Sequence, residues 1–172
     1  MTVVPVTIRR LVPADLPAYK ALRDAALSAS PESFTSDPAP ERPPESYLSR
    51  LGLLRPEGGE FTLGAWRLGR LVGAVSCERD ARTKVRHIGH IIGMMVRADA
   101  QGAGLGRALL EACIAEARAA DGVTMLTLTV TAGNAPAVHL YERAGFVRYG
   151  RLPRAIRVDG VDHAKDQMVL EL

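Results

Sequence analysis

Three glycines lie within five residues at the entrance of a strongly helical run, in the segment VRADAQGAGLGRALLEACIAEA of residues 96–117. Glycine disfavours helices, so Gly102, Gly104 and Gly106 need a specific explanation. A helix start presents unpaired N–H groups and the positive end of the helix dipole, which favour a phosphate, and glycine has no Cβ to hold oxygen atoms away. The segment therefore predicts an anion-binding helix start. Close packing of the helix on a strand is the structural alternative.

Two familiar nucleotide-binding loops do not fit this segment. A P-loop requires lysine followed by serine or threonine after its last glycine, whereas Gly106 is followed by Arg107 and Ala108. A dinucleotide-binding fingerprint requires Gly-x-Gly-x-x-Gly, but Arg107 occupies the position of the third glycine. The loop therefore belongs to neither class.

The pattern of apolar and turn-forming residues predicts the element order β-α-α-β-β-β-α-β-α-β-β. The first helix begins at residues 13–15, a proline-rich loop follows, and a short helix covers residues 45–54. Apolar strands at residues 86–96 and 123–130 enclose the glycine segment and its helix, which predicts a parallel crossover. The chain is expected to be α/β, with a mixed sheet and helices on its faces, and residues 1–172 are expected to form one domain.

Local signals support this order. The first helix should bury an apolar stripe made of Leu16, Tyr19, Leu22 and Leu27. A later helix has Asn134 as its expected N-cap and Gly145 as its expected C-cap. Tight turns are predicted at residues 68–69 and 159–160.

The composition excludes several classes of protein. The net charge is only +3, and the basic residues, 19 arginines among 22, are scattered, which favours solvated faces over a nucleic-acid-binding patch. Cys77 and Cys113 have no spacing typical of a disulfide framework or a metal site, so both are expected in the core and no metal is expected. The chain shows neither a signal-peptide layout nor an apolar run of transmembrane length, so we expect a cytoplasmic protein without membrane partners.

A second motif follows the glycine segment at a matching distance. Gln101-x-x-Gly104-x-Gly106 is followed, after a helix and a strand, by Asn134, Ala137, Leu140-Tyr141-Glu142-Arg143 and Ala144-Gly145-Phe146. Together these motifs resemble the two signatures of the GCN5-related N-acetyltransferase (GNAT) family, and the likeness covers nearly the whole chain. The resemblance implies a mixed, mostly antiparallel sheet in which a splayed pair of parallel strands holds acyl-CoA. It also implies direct transfer of an acetyl group from acetyl-CoA to a primary amine.

The resemblance assigns the residues that bind the co-substrate. Main-chain atoms of Met94, Met95 and Val96 would pair with the pantetheine arm, and a backbone N–H there would polarise the thioester carbonyl. With Gln101 in the family's Gln/Arg position, the pyrophosphate would be bound by the N–H groups of Gly102, Ala103, Gly104, Leu105, Gly106 and Arg107. The structural alternatives are an exposed helix side chain for Arg107 and core packing for Met94 and Val96.

The second motif supplies two further implied roles. Asn134 would contact the pantetheine while capping its helix, although capping alone would also explain it. Tyr141 would be the general acid that protonates the departing coenzyme A thiolate, because a phenol with a pKa near 10 matches a thiolate of similar basicity. A buried tyrosine on an amphipathic helix is the alternative.

The motifs do not supply the base that takes the proton from the amine. Family members often use a glutamate on the strand before the glycine loop, but residues 86–96 contain no carboxylate. We favour His90 over His87 because it lies nearer the reactive end, with a purely structural histidine as the alternative. The remoter candidates are Glu32, Glu78 and Asp80.

The acceptor cannot be read from the motifs. Phe34 falls where the family builds a wall of its acceptor site, or else it plugs the core. We expect a small-molecule amine. The missing strand carboxylate also motivates a second hypothesis, a non-catalytic acyl-CoA sensor of the same fold. Homodimers are common in the family, and the segment DQMVLEL of residues 166–172, expected near a sheet edge, would support one.

Overall fold

The chain is a mixture of strands and helices in the computed structural model, which describes residues 4–53 and 58–172. The strands are β1 (Val6–Arg10), β2 (Phe61–Arg67), β3 (Arg70–Arg79), β4 (Ile88–Val96), β5 (Met125–Thr131), β6 (Val147–Val158) and β7 (Val161–Glu171). The α-helices are α1 (Leu16–Ala29), α2 (Leu105–Ala119) and α3 (Ala135–Arg143). Short 3-10 helices cover Pro13–Asp15, Pro31–Ser33, Pro44–Leu51 and Ala98–Ala100.

The predicted element order is confirmed, with one change in helix type. The second predicted helix is a 3-10 helix that starts after Pro43 and ends at Leu51, where Gly52 adopts a left-handed conformation with φ of 71°. Its predicted end at Leu54 lies outside the described residues. The predicted turns are present, with Leu68 and Gly69 both at positive φ and Asp159 and Gly160 likewise. Such paired positive φ angles suit two-residue hairpin turns.

The strands form one sheet in the order β1-β2-β3-β4-β5-β7-β6. Neighbouring strands are antiparallel except β4 and β5, which are parallel because α2 connects them by a crossover. This mixed, mostly antiparallel sheet confirms the predicted fold class. The β4–β5 pairing joins only residues 88–90 to residues 125–127. Beyond that point the two strands, both fully described, diverge and leave a gap in the sheet.

The C-terminal hairpin corrects one expectation. Residues 166–172 belong largely to β7, which pairs with β5 on one side and β6 on the other, so this segment is not at an edge. The hairpin folds back so that its second strand enters the sheet and its first strand, β6, becomes the edge. A homodimer through residues 166–172 therefore loses its structural basis.

The core has two layers, one on each face of the sheet. On the α2 face, Leu109 and Cys113 pack with Cys77 and Leu126, all almost fully buried. On the other face, the predicted α1 stripe of Leu16, Tyr19, Leu22 and Leu27 is buried. Burying each large apolar side chain contributes about 1.5–3 kcal/mol, which holds both helix layers on the sheet. Both cysteines are free and buried, as expected. Within the described residues, every helix is too short or too polar to cross a membrane.

Candidate active site

A β-bulge interrupts β4 where the sheet opens. Ala74 pairs with Met95 and Ser76 with Ile92, so Gly93 and Met94 together lie opposite the single β3 residue Val75. Gly93 has a φ of 60°, a conformation that glycine adopts without strain. The bulge turns the β4 main chain into the gap between β4 and β5. An isolated glycine in an apolar strand is the sequence signal for such a bulge.

The gap between the splayed strands is a cleft of about 1090 Å³. This size suits a ligand as large as a cofactor. The cofactor half of the cleft is lined by residues 91–96 of β4, by residues 101, 102 and 104–107, by residues 128–131 of β5, and by Asn134, Ala137, Leu140 and Tyr141. The acceptor half, on the α1 face of the sheet, is lined by Arg23, Ser30, residues 32–36, Arg50, His163 and Lys165.

The glycine loop of residues 101–104 ends in a concentration of unpaired donors. Gly102 and Gly104 have φ angles of 81° and 73°, and a Cβ at either position would meet no atom within 4 Å, so backbone conformation explains both glycines. None of the N–H groups of residues 102–107 makes a hydrogen bond of ordinary geometry to another described residue. Six consecutive free N–H groups at a helix N-terminus form a binding site for an anion.

Two polar side chains of this loop and helix start, Gln101 and Arg107, form hydrogen bonds within the protein. The amide nitrogen of Gln101 donates to the carbonyl oxygen of Val96 at 3.1 Å and ties the loop to the end of β4. The guanidinium of Arg107 donates to the carboxylate of Glu111 one turn later at 2.7 Å, and both side chains are exposed. This pair fits the alternative of an ordinary exposed arginine. The unpaired donors of the loop are therefore main-chain N–H groups.

Asn134 and Tyr141 lie on α3 at the opposite wall of the cofactor half. The side-chain oxygen of Asn134 accepts from the N–H of Ala137 at 3.3 Å, which confirms the predicted N-cap. Tyr141 is 6% exposed and packs edge-on against Phe146, with ring centroids 6.0 Å apart. Tyr141 is among the residues that line the cleft. Burial raises the pKa of Tyr141 to about 12, so the phenol remains protonated and able to donate.

Most of the predicted site residues meet in this one cleft. Met94, Met95, Val96, Asn134, Tyr141 and Phe34 all line it, as do all the predicted loop residues except Ala103, which contributes only its free N–H. His90 does not reach the cleft. Its Nδ1 lies 2.6 Å from the hydroxyl of Thr127, in a separate, mostly apolar cavity of about 620 Å³. His90 precedes the bulge on β4. Its side chain faces the α1 side of the sheet, in the part where β4 and β5 are paired.

Several lining residues escape sequence reasoning because they come from separate elements. Arg23 lies on α1, Arg50 on the 3-10 helix Pro44–Leu51, and His163 and Lys165 on β7. Burial lowers the pKa of Lys165, and none of the described carboxylates lies within ion-pair distance of it. Because arginines are abundant in this sequence, no local signal distinguishes Arg23 and Arg50 from the others. The acceptor half is therefore cationic, with Glu32 as the carboxylate among its described lining residues.

Comparison with known sequences gives the same assignment as the motifs. The model of the acetyltransferase (GNAT) family matches residues 19–146. Mycothiol acetyltransferase of Salinispora tropica is 33% identical over 147 residues, which cover 84% of this chain and 45% of that protein. A mycothiol acetyltransferase of Propionibacterium freudenreichii is also 33% identical, over 77% of this chain and 40% of that protein. The chain thus spans less than half the length of these curated relatives.

Comparison with solved structures covers almost all of this chain. The acetyltransferase of the GNAT family from Streptococcus pneumoniae superposes with a TM-score of 0.85 at 28% identity, covering 98% of this chain and 100% of that one. The structure of yncA from Salmonella typhimurium with its cofactor acetyl-CoA shares the fold, with a TM-score of 0.84 at 23% identity, covering 97% of this chain and 94% of that one. The chain belongs to the acetyltransferase (GNAT) family, a family of acyltransferases.

Proposed function

We propose that this chain transfers an acetyl group from acetyl-CoA to the amine of a small molecule. The observation that carries the proposal is the row of six free N–H groups at residues 102–107, which opens onto a cleft that Tyr141 also lines. An anion-binding helix start and a proton donor at two walls of one cleft suit a long phosphorylated thioester. Family membership supports the same chemistry.

The described residues fit coenzyme A by their chemistry. The N–H groups of residues 102–107 would bind its pyrophosphate, because unpaired donors and the helix dipole favour a doubly charged anion. The main chain of Met94, Met95 and Val96 would bind the pantetheine amides in the manner of an added strand, because β5 leaves that edge of β4 open. Asn134 would contribute its amide N–H₂ group, since its carbonyl oxygen is used by the helix cap.

The reaction needs no covalent enzyme intermediate. The neutral amine attacks the thioester carbonyl carbon, a C–N bond forms, and the C–S bond breaks as the electron pair leaves with sulfur. A backbone N–H at the bulge of Gly93 and Met94 would donate to the carbonyl oxygen as negative charge develops there. Tyr141 would donate its phenolic proton to the thiolate; its raised pKa keeps that proton in place until the thiolate forms.

We assign removal of the amine proton to Glu32, directly or through water, in place of His90. Glu32 is the carboxylate among the described lining residues, and its backbone is fixed because its carbonyl oxygen accepts from the hydroxyl of Thr131 at 2.7 Å. His90 lies in the separate cavity beside Thr127. Replacing Glu32 with glutamine should lower kcat by about 100-fold and leave the affinity for acetyl-CoA unchanged. Glu41→Gln, at an exposed position outside the cleft, is the control; an unchanged kcat for Glu32→Gln would contradict the assignment.

The function is tested by thiol release from acetyl-CoA with pools of amino acids, polyamines, aminoglycosides and short peptides. Release that depends on an amine supports the transferase. Calorimetric titration with acetyl-CoA runs in parallel, and absence of binding would refute the proposal. Tight binding without release in any pool would instead favour the acyl-CoA sensor. The protein adds little background to a thiol assay, because burial raises the pKa of Cys77 to about 12 and also raises that of Cys113.

A further inference from the structure

Three hydrogen-bond donors converge on one point beside the bulge; two belong to residues that line the acceptor half of the cleft, and the third belongs to a fully buried residue. A Cβ built on Gly93 would lie 3.7 Å from Nη1 of Arg23, 3.8 Å from the hydroxyl oxygen of Tyr19 and 3.9 Å from Nη1 of Arg50. The three side chains come from α1 and from the 3-10 helix Pro44–Leu51, so folding alone brings them together. Two of the three donors carry a positive charge.

These donors are poorly satisfied by the protein itself. Tyr19 is fully buried and Arg23 is 5% exposed, yet the Tyr19 hydroxyl and the Nε of Arg23 have no hydrogen-bond partner among the described residues. Arg23 has one weak polar contact, from Nη2 to the hydroxyl of Ser36 at 3.4 Å, and its guanidinium lies over the ring of Tyr47 at 5.6 Å. A buried guanidinium without a carboxylate is costly unless a ligand supplies the anion.

The nearby carboxylates leave Arg23 unpaired and compensate the charge of Arg50 only through a long, half-exposed ion pair. Asp24, the next residue on α1, pairs with Lys20 and not with Arg23. The Nη1 of Arg50 is 3.9 Å from the carboxylate of Glu78, beyond hydrogen-bonding distance, and the Glu78 side chain is half exposed. Space for an acidic ligand therefore remains beside Gly93. The glycine itself contributes, because any other residue at this positive φ would place a Cβ among the three donors.

We propose that Arg23 and Arg50 bind the carboxylate of the acceptor, and that the acceptor is a free α-amino acid. This inference rests on the proposed function. The attacking nitrogen must reach the thioester carbonyl at the bulge, and the anion site borders that same bulge. An acceptor whose amine and carboxylate share one carbon satisfies both requirements. Peptide N-termini, polyamines and aminoglycosides have no carboxylate at that distance.

The test compares free α-amino acids with their own carboxamides in the thiol-release assay. The acids and amides of leucine, methionine, phenylalanine and glutamine form pairs with the same side chain, and their rates are compared per unit of neutral amine because amidation also lowers the pKa of the α-amine. We expect kcat/KM for the preferred acid to exceed that of its amide by about 100-fold, since the amide leaves the buried cations unpaired. Equal or faster turnover of the amide, or turnover confined to amines without a carboxylate, would overturn the inference while leaving the transferase intact.

Variants separate this subsite from the rest of the site. Arg50→Gln should lower kcat/KM for the acid by roughly 10- to 100-fold and leave that of the amide and the KM for acetyl-CoA unchanged. Tyr19→Phe removes only a fully buried hydroxyl outside the cleft lining, so the fold is kept and kcat/KM for the acid should change by less than about 2-fold. Arg118→Gln, at an exposed position on α2, is the matched control. Equal losses for acid and amide would contradict the proposal.

A binding measurement makes the test independent of turnover. Amino acids are titrated calorimetrically into protein saturated with coenzyme A. Saturable binding that is weakened about 10-fold or more by Arg50→Gln supports the subsite, and absence of binding by every amino acid overturns it. Failure of acetyl-CoA itself to bind is the separate result that would refute the proposed function.

Discussion

The two halves of the cleft offer different chemical groups to a ligand. The cofactor half offers chiefly main-chain groups, from β4 and from residues 101–107, where glycines hold the positions of positive φ. The acceptor half offers charged side chains from three separate elements, among them Arg23, Arg50 and Lys165. A main-chain site must be encoded in glycine spacing, whereas a side-chain site is assembled only by the fold. The first is therefore visible in the sequence and the second is not.

The two halves also differ in electrostatic cost. The helix start at residues 102–107 keeps its free N–H groups in a loop exposed to water, where their hydration offsets the missing partners. The acceptor half keeps Arg23 and Lys165 buried without a paired carboxylate. Such cations reduce the stability of the folded chain, as is common where a site is prepared for a charged ligand.

The largest expected effect is at the junction of the halves. Tyr141→Phe should lower kcat by about 100- to 10,000-fold, because a positioned general acid contributes that much, while acetyl-CoA affinity changes little. Steady-state kinetics and calorimetry on the same preparation measure both. Tyr149→Phe, at an exposed position on β6, is the control. An unchanged kcat for Tyr141→Phe would show that the thiolate leaves without this proton donor.

A glycine pair tests whether the cofactor half depends on main-chain conformation. Gly104 and Gly160 have similar φ angles of 73° and 79°, and a Cβ at either would meet no atom within 4 Å. Replacing either with alanine should cost about 1–2 kcal/mol of backbone strain. Only Gly104→Ala should also weaken acetyl-CoA binding, by about 10-fold, in a calorimetric titration. Equal affinities in the two variants would mean that the loop geometry is unimportant for binding.

The smallest expected effect concerns the stability of the acceptor half. Burial lowers the pKa of Lys165, so the unfolded chain holds this proton more tightly than the folded chain does. Keeping Lys165 charged therefore lowers the free energy of unfolding. This loss is complete below the lowered pKa of the folded chain and disappears as the pH rises to the pKa of the unfolded chain, about 10.4. Lys165→Met should therefore raise Tm by a few degrees at neutral pH and by less near pH 10. A pH-independent gain, or a loss, in thermal unfolding would contradict this.

Much of the fold and of the cofactor half can be predicted from the sequence. Periodicity predicts the α1 stripe, the paired turns and the strands around the glycine loop, because local chemistry decides each of them. The Asn134 cap and the place of Tyr141 in the cleft follow from a motif within one helix. The assignment of residues 1–172 to one domain stays a prediction, as do the cytoplasmic location and the roles of the site residues.

The remainder depends on contacts that sequence spacing does not encode. The position of His90 along β4 predicts a base, whereas the structure places its ring beside Thr127 and outside the lining of the cleft. Residues 166–172 were expected near an edge, yet the hairpin inserts β7 beside β5. Arg23 and Arg50 are two of many arginines until α1 and the 3-10 helix Pro44–Leu51 pack on the sheet.

The most direct test of the main-chain account is an amide NMR titration of the protein with coenzyme A. If main-chain donors bind the pyrophosphate, the amide chemical shifts should change saturably and most strongly at residues 102–107. The amide shifts of Arg23 and Arg50 should hardly change. Adding the preferred amino acid to that complex should then shift the amides around Gly93 and α1. Saturable binding of coenzyme A that leaves residues 102–107 unshifted would contradict the account.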